Sequence, residues 1–149
     1  MSHAVLLPII LVLAGGALIS LQAPTNAMLS MAGGSPVLAA LISFAVGTLA
    51  LLVTWLATAK RPGADAFAGL PWYAWLGGVY GAFYVAVAAY AAPRIGLASL
   101  VTIGIAGQIL SAIWLDHFGV LGLAREPISL VRAVGAMLVV IGVVLVRRG

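Results

Sequence analysis

Charge is scarce in this chain and cysteine is absent. Only 7% of the 149 residues are charged, whereas soluble proteins average about 25%. The chain is 64% apolar and its mean hydropathy is +1.25, so most of its surface must face lipid rather than water. The absence of cysteine excludes disulfides and thiolate metal sites.

Other absences exclude whole classes of function. The sequence has no nucleophile beside a base, no cluster of metal ligands and no phosphate-binding loop, so we expect neither an enzyme nor a bound cofactor or metal. The net charge of +4 accompanies no nucleic-acid-binding motif. Because the charges fall near predicted loops and helix ends, they indicate membrane topology and contact with lipid headgroups.

Apolar residues instead form five segments, each long enough to span a bilayer. The sequence therefore predicts an all-α, multi-pass membrane protein with one five-span domain over residues 1–149. The first segment follows an N-terminus without Lys or Arg and runs directly into more membrane sequence, so we expect it to be an uncleaved span. The predicted spans are approximately residues 4–31, 37–57, 72–92, 96–117 and 129–146. Ser35-Pro36 predicts an N-cap and first turn before the second span, and Pro93-Arg94 predicts the tight turn into the fourth.

The fourth span, within TIGIAGQILSAIWLDHFG, carries an unusual set of polar residues. Gln108 falls within about one helical turn of the bilayer midplane, and Ser111 follows one turn later. Polar groups at this depth are candidates for a substrate path. Asp116 and His117 lie at the end of the span. One interpretation is proton coupling, since histidine ordinarily titrates near neutral pH. The other is that the two residues anchor the helix end at the membrane interface.

Polar side chains also lie within the first and third spans. Gln22 and Asn26 flank Pro24, which predicts a kink that exposes polar groups to a substrate. The alternative places this cluster at the headgroup end of the helix. Tyr80 and Tyr84 lie one turn apart near mid-depth, where their hydroxyls need partners that lipid does not offer, and either a structural or a ligand-binding role fits them.

Small residues indicate where helices pack. A stripe on the second span, containing Ser43, favours helix packing over a ligand role. On the otherwise apolar fifth span, Gly135 and Gly142 lie on nearly the same face and predict a helix interface, here a dimer interface.

The positive charges hardly specify an orientation. Five crossings place four Lys and Arg residues on one side of the membrane and three on the other. A clear excess of these residues on one side normally directs insertion. One extra charge could suffice for a single orientation. We favour dual topology, in which two copies pair antiparallel as ten helices with an inverted repeat. The two sets are Lys60, Arg61, Arg125 and Arg132 on one side, and Arg94, Arg147 and Arg148 on the other.

The chain resembles the YdcZ-like branch of the drug/metabolite transporter (DMT, EamA-like) superfamily over nearly its whole length. The resemblance is carried by five motifs, QAPTN at 22–26, SFAVG at 43–47, LGGVYGAFY at 76–84, AGQ at 106–108 and LDHFG at 115–119. It implies a five-span protein of the bacterial inner membrane that exports or exchanges small metabolites. The glycine spacing of the fifth span also resembles the dimerising last helix of small multidrug exporters. Those exporters carry a glutamate in the first span and this chain has none, so their coupling mechanism does not carry over.

Together these features predict a transporter that works by alternating access between the inverted halves of an antiparallel homodimer. Its site would be uncharged, which favours neutral, zwitterionic or aromatic small molecules. The alternative is a non-transporting membrane partner or assembly protein. The predicted substrate-binding residues are Gln22, Asn26, Tyr80, Tyr84, Gln108 and Ser111.

Overall fold

The computed structural model describes residues 3–58, 61–63 and 65–148, and in these residues all regular structure is helical. The predicted all-α fold is therefore confirmed. A short 3₁₀ helix, Trp72–Leu76, leads into the third long helix. The long helices are α1 (His3–Gly33), α2 (Pro36–Thr58), α3 (Gly77–Ile95), α4 (Leu97–Phe118) and α5 (Leu130–Arg148).

Within the described ranges, five helical segments are long and apolar enough to cross a membrane. At most 17% of the most apolar window of any segment is buried inside the chain. Such outward-facing apolar surface would be unfavourable in water but matches a lipid surrounding. The few buried apolar residues are mostly alanines, which allow helices to approach closely.

The chain divides into two compact units, Met1–Arg94 and Ile95–Gly149. In the first unit α1 packs against α2, and in the second α4 packs against α5. The single five-span domain stays a prediction.

The connection between α1 and α2 follows the sequence expectation. Gly34 has a positive φ of 69°, which glycine adopts easily and which ends α1. The Ser35 hydroxyl accepts a hydrogen bond from the Leu38 backbone N–H at 3.2 Å, so Ser35 is the predicted N-cap and Pro36 begins α2.

Glycine also allows α2 and α3 to meet. A Cβ atom at Gly81 would lie 3.1 Å from the Cζ atom of Phe44, so the missing side chain leaves room for that ring. Gly77 and Gly81 form a G-x-x-x-G pair, and a Cβ atom at Gly77 would have nothing within 4 Å. Only one glycine of the pair therefore forms a close contact in this unit.

The prolines of α3 and α1 lie inside their helices. We expected Pro93-Arg94 to form the turn before α4, but α3 continues through both residues to Ile95 and the break lies at Gly96, with φ 80°. Gly96 has the positive φ, which glycine adopts easily, and it is this residue that ends the helix. In α1 the helix continues through Pro24, and the kink expected there stays a prediction. Lys60, one of the charges used to judge orientation, lies outside the described residues.

Candidate functional site

The first unit buries a polar stripe on α1. Residues 22, 23, 26, 27 and 30 are buried or half-buried and recur at helical spacing, so they share one face of α1. Three of the five are polar, namely Gln22, Asn26 and Ser30. In a membrane helix, polar groups on a packed face need partners within the protein, because lipid supplies none.

Gln22 has such a partner on the neighbouring helix. Its Nε2 atom donates a hydrogen bond to the Ser43 hydroxyl of α2 at 3.3 Å, in a part-buried setting. Sequence reasoning assigned Ser43 to a packing stripe and missed this polar role. The bond uses one of the two amide N–H groups of Gln22, and the amide oxygen remains a further acceptor.

Asn26 is the most buried polar residue of the described chain, with 3% of its surface exposed. It lies one turn beyond Gln22 and beside the buried Ala23 and Ala27. Seven more residues of α1 follow it, so the amide cluster lies inside the helix rather than at its end. The Thr25 hydroxyl donates to the carbonyl oxygens of Leu21 and Gln22, at 3.1 and 2.9 Å. These bonds satisfy the Thr25 hydroxyl within its own helix, next to the proline.

The two predicted tyrosines of α3 have different surroundings. Tyr84 is half-buried, whereas 62% of Tyr80 is exposed. Their spacing places both on one face of α3, and Gly81, which contacts the ring of Phe44, lies between them in sequence. Tyr84 is therefore more enclosed by protein than Tyr80.

The second unit contains the remaining predicted substrate residues. Gln108 is the twelfth of the 22 residues of α4 and is exposed. Ser111 is also exposed and lines a shallow surface depression with Leu110, Trp114 and Leu115. An exposed amide halfway along a membrane helix is unfavourable in lipid, so Gln108 requires a polar partner or a wet cavity.

Asp116 and His117 hold the loop between α4 and α5. The Asp116 carboxylate lies 3.4 Å from the Arg132 guanidinium, which also pairs with Glu126. The Nδ1 atom of His117 accepts a hydrogen bond from the Ile128 backbone N–H at 3.1 Å. These contacts favour the anchoring interpretation of both residues, and proton coupling through them stays a prediction. Their partners lie 11 and 16 residues away and were not recognised from the sequence.

The predicted dimer glycines lie on α5, of which no described residue is buried. A Cβ atom at Gly135 or at Gly142 would meet nothing within 4 Å. Gly135 lines a groove between α4 and α5, with the Asp116–Arg132 ion pair among its other lining residues. Both glycines therefore leave room for another helix, and the dimer interface stays a prediction.

Comparison with known families identifies the chain. The family model described as "Putative inner membrane exporter, YdcZ", of the DMT group, matches residues 7–145. The chain belongs to the YdcZ family. No curated protein and no solved structure matches it.

Membership of the YdcZ family confirms the resemblance found in the sequence and places the protein in the inner membrane as a multi-pass protein. The family is one of membrane exporters rather than enzymes, which supports a transport role. The matched region includes every predicted site residue and all five long helices except the first four residues of α1 and the last three of α5.

Proposed function

We propose that this YdcZ-family protein exports or exchanges small neutral, zwitterionic or aromatic metabolites as an antiparallel homodimer. The two inverted copies rock against each other and open the site alternately to the two sides of the membrane. The substrate-binding side chains are Gln22, Asn26, Tyr80, Tyr84, Gln108 and Ser111.

The observation that carries this proposal is the buried amide pair on α1. Keeping Gln22 and Asn26 on a packed face within a membrane helix is unfavourable unless they have polar partners. Ser43 accepts from one amide N–H of Gln22, and among the described residues no fully buried side-chain polar atom lacks a hydrogen-bond partner. Intramembrane polar residues of this kind typically mark a substrate path.

Depth in the membrane supports the same reading. Gln22 lies eleven residues before the end of α1, or about 16 Å along the helix axis, which is close to half of a hydrocarbon core of about 30 Å. Gln108 lies halfway along α4. If the C-terminal end of α1 and both ends of α4 lie at the membrane surfaces, both amides lie near the midplane. Transporters built from inverted repeats bind substrate at this depth.

The exposed surface of the second unit supports pairing with another copy. Gln108 is exposed halfway along a span, and α5 presents a face with two open glycines and no buried residue. Five short spans enclose little cavity alone, whereas an antiparallel pair doubles the number of helices around the site.

Solute flux in liposomes tests the site directly. We expect Gln108→Leu to abolish flux, because the substrate loses an amide partner, while the dimer persists in crosslinking. Thr102→Val is the matched control on α4, since the Thr102 hydroxyl already donates to the Ala98 carbonyl within the helix. Unchanged flux in Gln108→Leu would remove this residue from the site.

Reporters fused to the C-terminus test the dimer separately. Dual topology predicts that both orientations are found in comparable amounts. A single orientation would contradict the antiparallel dimer while leaving transport untouched.

One observation favours a second function, that of a non-transporting membrane partner. Since no described residue of α5 is buried, this helix is suited to binding another helix, independently of the role of the amides. Purified protein that moves no solute of a metabolite panel, yet retains a bound membrane protein after purification, would support this alternative.

A further inference from the structure

A polar cavity lies in the first unit, apart from the predicted substrate residues. It has a volume of about 350 Å³ and lies where α1 and α3 end and α2 begins. Ser30, Tyr90 and Arg94 supply its polar atoms, and Ala27, Ala89 and Pro93 are among its apolar lining. Because α1 and α3 cross the membrane in the same direction, the cavity belongs to one membrane surface.

We propose that this cavity binds an anionic oxygen group, a carboxylate or a phosphate, that is attached to an apolar body. Arg94 binds the anion, and the alanine and proline wall contacts the apolar part. The proposal does not depend on transport, because it concerns the cavity alone.

Two contacts with Tyr90, one helical turn earlier, orient the exposed Arg94 side chain. Its Cζ atom lies 3.7 Å from the centroid of the Tyr90 ring, a cation–π contact, and one of its N–H groups donates to the Tyr90 carbonyl oxygen. A guanidinium has five N–H donors, so four remain. A planar cation held in this way is suited to bidentate binding of a carboxylate or phosphate.

No carboxylate of the described chain neutralises Arg94. The chain has three acidic side chains, Asp65, Asp116 and Glu126, and the ion pairs found in the described ranges join the last two to Arg132. Among the described residues, Arg94 is also the only formally charged one that lines the cavity. The electrostatics of the cavity therefore favour an anion, which would neutralise the charge of the Arg94 guanidinium.

The remaining lining defines the rest of the ligand. Ala27 and Ala89 are buried, with 6% and 1% of their surface exposed, and they form an apolar inner wall. The half-buried Ser30 offers a hydroxyl that can also donate to the ligand. The ligand therefore combines an anionic head with an apolar or aromatic portion, a combination found both in amphipathic metabolites and in anionic phospholipids.

Ligand-induced thermal stabilisation of the purified protein tests the proposal, because a ligand that binds the folded state raises the unfolding temperature. The solute arm uses 3-phenylpropionate and its uncharged analogue 3-phenylpropanol, with the protein in a neutral detergent. The lipid arm compares nanodiscs of phosphatidylcholine with nanodiscs that also contain phosphatidylglycerol.

Three variants test whether binding depends on the Arg94 charge and on the cavity. Arg94→Gln removes the charge, Ser30→Leu fills the cavity and keeps the charge, and Arg148→Gln removes an arginine from the end of α5 as the matched control. Each variant is compared with itself without ligand, so a change in its own stability does not affect the result. Ser30→Leu keeps the test available if Arg94→Gln does not fold.

We expect the anionic probe, and not the alcohol, to stabilise the wild type and Arg148→Gln. Affinity should fall about tenfold or more in Arg94→Gln, as expected for loss of a charged hydrogen bond, and also in Ser30→Leu. Stabilisation by 3-phenylpropionate identifies a solute site. An Arg94-dependent response to phosphatidylglycerol alone identifies a lipid site with the same chemistry. If neither anion stabilises the wild type, or if both cavity variants respond like the wild type, the proposal is wrong.

Discussion

The hydrogen bond between Gln22 and Ser43 allows the structural and functional roles of the buried amide to be separated. Gln22→Met keeps the length of the side chain and removes its amide, and Ser43→Ala removes the partner hydroxyl. The bond is 3.3 Å long, beyond the usual range of about 2.7–3.2 Å for N–H to oxygen. We therefore expect a coupling free energy near the membrane-protein average of about 0.6 kcal/mol in a double-mutant cycle of unfolding in bicelles.

Transport should respond differently to the two changes. If Ser43 only orients Gln22, then Ser43→Ala should lower flux by no more than about threefold, the equivalent of about 0.6 kcal/mol. Gln22→Met removes the amide itself, including the groups that Ser43 does not engage, and should lower flux about tenfold or more, or about 1.4 kcal/mol. Flux is measured in liposomes with the solute of a metabolite panel that stabilises the protein most.

Two results would refute this reasoning. A coupling free energy near zero would mean that the two side chains do not interact in the membrane. Equal losses of flux in Gln22→Met and Ser43→Ala would mean that the amide acts only by holding α1 against α2. Thr54→Val serves as a control on α2, because the Thr54 hydroxyl donates only within its own helix, to the Ala50 carbonyl.

Two further predictions concern the second unit. Gly119→Ala should destabilise the protein by about 1–3 kcal/mol, because residue 119 has a positive φ and its Cβ would lie 3.1 Å or less from atoms of Arg125. Gly122 also has a positive φ, but a Cβ atom there would meet nothing within 4 Å, so Gly122→Ala is the control. In denaturant unfolding it should lower the free energy of unfolding less than Gly119→Ala does. Equal losses would contradict the contact with Arg125. Asp116→Asn should cost about 1 kcal/mol or less, since the paired side chains of Asp116 and Arg132 are 38% and 37% exposed. Its flux should keep the wild-type pH dependence, and a shifted pH profile would instead assign Asp116 to proton coupling.

The limits of the sequence analysis are clearest at the ends of helices. Ser35-Pro36 was recognised as an N-cap because capping depends on neighbouring residues, and the structure confirmed it. The turn predicted at Pro93-Arg94 was wrong because α3 continues through both residues, and the glycine at position 96, with its positive φ, provides the break. Local rules therefore located the boundary to within a few residues but did not identify the residue that forms it.

The candidate site was predictable only in part. Residue type and depth alone identified Gln22, Asn26 and Gln108, because a polar group in an apolar span is conspicuous. The same reasoning could not tell that Asn26 is buried and that Gln108 is exposed. That difference depends on how each helix is rotated about its axis and on which neighbour it packs against.

The sequence by itself determined that this is a five-helix inner-membrane protein of the YdcZ family. Long apolar runs with few charges can satisfy their backbone only as helices in lipid, and that requirement acts on each segment separately. Only the tertiary structure decided that Gln22 pairs with Ser43, that Asp116 and His117 hold the α4–α5 loop, and that Arg94 lies beside a cavity. These contacts join residues from different elements, and their formation depends on helix rotation and packing distance, for which the order of residues along one segment carries no signal.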